Sequence, residues 1–322
     1  MTRATKAKKA RRKQRKAPPQ RQARFPKGLV VVAALGLASA VVAGVLLWRA
    51  GGEGPETFTG VPAADPGPVH VHGLGVNPAD GALFVATHTG LFQVREGERK
   101  ATRVGERFQD TMGFTIVGPN RFLGSGHPDI NEAQEKGLPS RLGLIESSDA
   151  GRTWQPISLL GEADFHVLRF AGERVYGYDA SNDRLLVSAD RGRRWDELER
   201  PGPIVDLAVA PLNQGRIVAA SAGGPGQGLF ESQDGGQMWK RIGQGVGLLA
   251  WPARERLYLV AGGGQVFASR DGGRAFAHRG EIGGEPAALL AQGAEELYVA
   301  LHDGTIKRST DGGATWSVRS TP

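Results

Sequence analysis

The sequence predicts an all-β chain: a six-bladed β-propeller of four-stranded blades, preceded by one N-terminal transmembrane helix. Three observations lead there. A motif of the form Ser-x-Asp-x-Gly-x-x-Trp/Phe recurs five times, its copies starting 41, 44, 37 and 40 residues apart, and each interval is about the length of one blade. Six short apolar segments fall at matching places in successive intervals. A single uncharged run of twenty residues, Leu29–Trp48, lies ahead of all of them.

The elements follow in order. Residues 1–27 hold 12 Lys/Arg and no acid, which leaves 28 of the 40 basic residues against all 33 acidic ones and a net of −5 for the rest. The formal charge of +7 is therefore a property of the tail. The body shows no basic stripe with interleaved aromatics, and nucleic acid is not expected as a partner. The tail at 1–28 reads as a solvated topology signal, with attraction to anionic lipid or RNA as the alternative.

Residues 29–48 (LVVVAALGLASAVVAGVLLW) make a helix about 30 Å long, enough to cross a hydrocarbon core. A cleaved signal peptide would have a shorter apolar region followed by a small-x-small site. Here Ala38-Ser39-Ala40 lies inside the run, and Trp48-Arg49-Ala50 is a poor site. The expectation is an uncleaved single-pass anchor in the cell membrane, with the cationic tail in the cytoplasm and everything after Arg49 outside. Residues 49–68 are a Gly/Pro-rich linker, and 69–322 are the propeller.

The five motif copies are Ser147–Trp154, Ser188–Trp195, Ser232–Trp239, Ser269–Phe276 and Ser309–Trp316. In each, the Asp is expected to accept amides of its own turn, the Gly to take positive φ, and the aromatic to pack beneath. Second strands align at Leu83–Val85, Arg121–Leu123, Arg174–Tyr176, Arg216–Val218, Arg256–Tyr258 and Glu296–Tyr298. They set six blades near 69–105, 106–159, 160–200, 201–243, 244–281 and 282–320. The first has only a degenerate turn, Arg95–Arg99. Tyr176, Tyr258 and Tyr298 recur at one position and read as core. Cysteine is absent, which excludes disulfides and thiolate sites, and 48 glycines suit a chain of many tight turns.

Aligning the innermost strands by their alternating apolar residues makes His72, Met112 and His166 equivalent, with Val205 in the fourth blade and His70, Asp110 and Asp164 two residues earlier. The second strands end at His88, His127 and His302. Six of the seven histidines thus map to one face, His278 excepted. Imidazoles beside carboxylates are what a divalent metal (Zn, Cu, Fe or Mn) needs, and Met112 adds a soft donor. The bland alternative is that these side chains hydrogen-bond backbone at strand ends. An insertion from His127 to Gly143 is expected to cover the same face.

The motif resembles the Asp box (BNR repeat) of sialidases, sortilin and many secreted propellers. The passages VHGLGVNP, ATHTGLF, TMGF, SGHPD and ADFHVL resemble a bacterial group of Asp-box propellers labelled glycosyl hydrolase or exo-α-sialidase, over nearly all of 69–320. That resemblance implies a glycosidase. A sialidase, however, uses three arginines on a carboxylate, a Tyr/Glu pair and an early Arg-Ile-Pro segment. No such segment exists in the propeller; Arg24-Phe25-Pro26 is in the tail, and Tyr178 alone stands outside the repeated tyrosine position. A paired-carboxylate glycosidase could use Asp110 and Asp164 as catalytic groups, with Asp179 and Asp206 nearby. The preferred expectation is an extracytoplasmic binding module that takes a glycan, a protein or a metal-dependent ligand on its His/Asp-rich face. The alternative is a glycoside hydrolase-like or metal-dependent enzyme using that face.

Overall fold

Alternating apolar residues in short strands bury both faces of each sheet when sheets stack side by side, and twenty-four strands do so here. The computed structural model describes residue 65 and residues 67–322 except 224 and 225; the expected tail, the anchor at 29–48 and most of the linker lie outside the described residues. Among the described residues no helix is long and apolar enough to cross a membrane. The strands form six four-stranded antiparallel sheets, each built from four consecutive strands.

The first strand of each blade is innermost: Val71–Val76, Asp110–Gly118, Phe165–Ala171, Ile204–Ala210, Gly247–Ala253 and Pro286–Gln292. Each lies beside the first strand of the next blade, and the last lies beside the first, so the ring closes. Six hydrophobic clusters fill the six gaps between blades, for example Phe84, Leu91 and Phe122 between blades 1 and 2, and Leu123, Leu144 and Leu168 between blades 2 and 3. The core is thus a set of inter-blade seams, and no blade buries its faces alone.

The five Ser-x-Asp-x-Gly segments fold alike. The Ser Oγ donates to the Asp Oδ1 at 2.7–2.9 Å and accepts from the Gly amide at 2.7–2.9 Å. The same Oδ1 accepts the amide four residues after the Asp at 2.9–3.0 Å. The glycine is required twice over. At Gly192, φ is +88° and a Cβ would sit 2.0 Å from Leu144 Cδ2 of the preceding blade; at Gly151, φ is +84° and the clash is with Leu91 Cδ2 at 2.2 Å. The aromatic of each turn enters the seam with the preceding blade: Trp195 stacks 4.8 Å from Phe165 and donates to Ser158 Oγ at 2.9 Å.

Blade 1 lacks the turn, and the chain's end takes its place. Arg319 donates to the carbonyls of Arg95 and Glu98, Ser320 Oγ donates to Arg99 O at 2.8 Å, and Thr321 bridges Lys100 in parallel. The degenerate turn is held from across the closure of the ring. The tyrosines are core, as expected: Tyr176 donates to Gln214 O at 3.0 Å and Tyr258 to Ala294 O at 2.6 Å, each reaching the next blade.

Candidate functional site

Bulges in the innermost strands aim side chains into the channel. In blade 1, Val71 pairs with Thr87 and Gly73 with Ala86, so His72 is the extra residue. The same shift isolates His166 between Phe165 and Val167, Val205 between Ile204 and Asp206, and Ala287 between Pro286 and Ala288. In blade 2 the shift falls between Thr111 and Phe114 and releases Met112. Blade 5 keeps its register there and presents Leu248. These six residues line one cavity of about 180 Å³. The equivalence of His72, Met112, His166 and Val205 expected from the sequence is therefore a shared backbone irregularity.

Histidines and carboxylates gather around this ring. Asp110 Oδ2 lies 3.0 Å from His88 Nδ1, and its Oδ1 lies 3.6 Å from His72 Nε2. One donor atom each from His72, His88 and Asp110 lies within 4.8 Å of the others. The rings of His70 and His72 stand edge-on to His88, with centroids 6.2 and 6.4 Å away. One blade on, the pattern repeats: Asp164 Oδ2 is 3.0 Å from His166 Nε2 and 3.6 Å from His127 Nε2.

Tautomers follow from the partners. His127 Nδ1 lies 2.7 Å from Ser140 O. A carbonyl only accepts, so Nδ1 carries a proton, and in the neutral form of the ring the Nε2 lone pair faces Asp164. A lone pair facing a carboxylate is stable when a proton or a cation lies between them, and a histidine held by a backbone carbonyl in this way is the usual arrangement of a metal ligand. At the first group, His72 Nε2 and Asp110 Oδ1 are both buried without a hydrogen-bond partner among the described residues, as is Asp164 Oδ1.

Burial pushes the His72 imidazole down to about 4; Asp110 opposes this, while His166, His88 and His70 push the same way. His72 is therefore neutral at physiological pH, the form in which an imidazole binds metal. Burial alone would raise the Asp164 carboxyl, but the hydrogen bonds from His166 and Ser181, with the nearby His166 and His127 imidazoles, hold it below the usual range.

The structure thus brings together His70, His72, His88, His127, His166, Asp110 and Asp164. His302 ends the corresponding strand of blade 6, exposed, its amide bonded to Glu285 O at 3.1 Å, and no contact joins its ring to the others among the described residues. His278 packs on Phe267 in an outer strand. Asp179 and Asp206 are engaged by amides and cations of neighbouring segments. Asp206 accepts from Leu249 and Leu207 amides and from Arg169, and Asp179 accepts from Arg184, Asn182 and the Asp164 amide. Asp110 and Asp164 are each engaged by their own pair of imidazoles.

Arg169, which lines the same cavity, was not singled out from the sequence; its signal is one cation in the apolar strand FHVLRFA. The insertion after His127 forms a short helix, Ile130–Lys136, capped by Asp129, which also accepts the Phe108 amide.

Fold and site together define a six-bladed β-propeller with a His/Asp-rich channel mouth. No protein-family model matches the chain, and no curated protein matches it in sequence. Among solved structures, one of a nidogen/laminin complex matches with a TM-score of 0.59 at 14% identity, covering 75% of this chain and 93% of that one. An ancestral GH74 enzyme matches with a TM-score of 0.50 at 12% identity, over 76% of this chain and 37% of the enzyme. YCF48 from Cyanidioschyzon merolae matches with a TM-score of 0.49 at 15% identity, over 79% of this chain and 86% of that one. The likenesses are of fold.

Proposed function

We propose that this chain is a membrane-anchored, extracytoplasmic propeller of the Asp-box type that binds its ligand on the His/Asp-rich channel mouth, through a divalent transition metal. The observation that carries the reading is the convergence of His72, His88 and Asp110, whose donor atoms lie within 4.8 Å of one another. Two imidazoles and a carboxylate make a three-ligand set that leaves positions for an external group. A glycan hydroxyl or carboxylate, or a side chain of a partner protein, would fill them. The five turn motifs support the Asp-box reading, and the uncharged run at 29–48 behind 12 cations supports the anchor and its orientation.

The deciding experiment is elemental analysis of the full chain, purified without a histidine tag and incubated with Zn, Cu, Mn or Fe. Stoichiometric metal that Asp110→Asn or His88→Ala removes is expected. Protein that takes up none of the four ends the metal reading. A reporter fused after Pro322 tests the orientation, and activity there of a reporter that works only in the cytoplasm would refute it.

A further inference from the structure

The chain has no cysteine and three methionines: Met1, Met112 and Met238. Met238 is 74% exposed on the turn of blade 4. Met112 is the other methionine among the described residues; half-buried, it lines the cavity and occupies the bulge that holds His72 in the blade before and His166 in the blade after. The opposite half of the same ring is Val205, Leu248 and Ala287. The ring is therefore divided: imidazole, thioether and imidazole on three consecutive blades, hydrocarbon on the other three. Packing does not ask for this division, since Val and Ala fill the same bulge elsewhere.

We propose that this cavity is a copper(I) site whose protein donors are His72, Met112 and His166. It deepens the reading of the face as metal-binding, but its donors differ from those of the His72/His88/Asp110 group except at His72. A thioether is a soft donor that discriminates for Cu(I) against Zn, Mn and Fe(II), and imidazole accepts copper readily. Cu(I) is satisfied by few donors and carries a single charge, so a small cavity with one apolar wall favours it over a hydrated divalent ion. Arg169 lines the cavity too, but its guanidinium is committed to Asp206, Leu207 O and Leu168 O, which removes it as an obstacle to a cation.

The test is anaerobic Cu(I) competition against a chromophoric chelator, alongside Zn(II) competition, on the full chain without a tag. Wild type should take one Cu(I). Met112→Leu, which keeps the side-chain volume, should weaken Cu(I) by about tenfold or more and leave Zn(II) binding unchanged. Asp110→Asn should do the reverse. X-ray absorption at the copper edge should show a sulfur neighbour in wild type that Met112→Leu lacks. Met112→Gln, whose amide keeps the length and lacks the sulfur, serves if the leucine variant misfolds. Cu(I) held equally by both Met112 variants, or bound without sulfur, overturns the proposal. Zn(II) uptake without Cu(I) uptake overturns it while sparing the divalent centre. Uptake of neither overturns this proposal, and with Mn, Fe(II) and Cu(II) refused as well it defeats both readings; Cu(I) uptake with none of the divalent ions taken up supports this one and removes the other.

Discussion

The substitution His72→Leu should stabilise the metal-free protein. His72 Nε2 is buried with no hydrogen-bond partner among the described residues, and its separation of 3.6 Å from Asp110 Oδ1 is longer than a hydrogen bond. Leaving such a group unpaired costs about 1–3 kcal/mol, and the neutral ring gains little from Asp110 in return. Leucine fills a similar volume without a polar atom. A net gain of about 1 kcal/mol follows, or roughly 2–4 °C in Tm for a domain of this size. His166→Leu is the contrast: its Nε2 makes a 3.0 Å bond to Asp164, so removing it should cost about 1–3 kcal/mol. The assay is urea unfolding of chelator-treated protein followed by tryptophan fluorescence. A loss of more than about 1 kcal/mol for His72→Leu, matching His166→Leu, would refute the reasoning, because His72 would then be a satisfied structural group.

Gly192→Ala should fail to fold or melt far lower, since the methyl would meet Leu144 at 2.0 Å on a backbone with φ +88°; a Tm within a few degrees of wild type would contradict the seam geometry. Tyr176→Phe should cost about 1 kcal/mol by leaving Gln214 O without its inter-blade donor, read as a shift in urea midpoint at constant slope. The turn carboxylates set an acid limit. The Ala275 amide on Asp271, the Met238 amide on Asp234 and the Thr315 hydroxyl on Asp311 hold these carboxyls below their ordinary range. Because the folded-state pKa values are depressed, their stabilisation is complete above the unfolded value of 3.8 and is lost as pH falls below it. Tm should therefore drop steeply below pH 4, and replacing the three Asp by Asn should flatten that drop.

The repeat turns were legible because everything they need is written within eight residues: the serine, the aspartate, the glycine and the aromatic are local partners in one hairpin. Blade count and the core role of Tyr176, Tyr258 and Tyr298 were legible for the same reason, since a repeat reports itself. The alignment of inner strands placed His72, Met112 and His166 together because apolar alternation resumes after each of them at Leu74, Phe114 and Leu168. The ends of the second strands also placed His302 with the other histidines, whereas among the described residues no contact joins its ring to theirs. Asp179 and Asp206 read as open carboxylates on sequence alone; in the structure they accept amides and arginines from neighbouring strands.

What the amino-acid order determined by itself is therefore the local chemistry and its period: an all-β chain, five like turns, six blades, one apolar run behind a basic tail. The tertiary structure alone decided which donors meet. A bulge depends on the register of a strand against its partner, so the extra residue at 72, 112 or 166 exists only once Thr87, Gly126 or Asp179 is paired. The pairing of His88 with Asp110 crosses a seam between blades, and the tie of Arg319 to Arg95 joins residues 224 positions apart. Such contacts cost loop closure before they return any bonding, and no stretch of sequence short enough to read as a motif contains both partners.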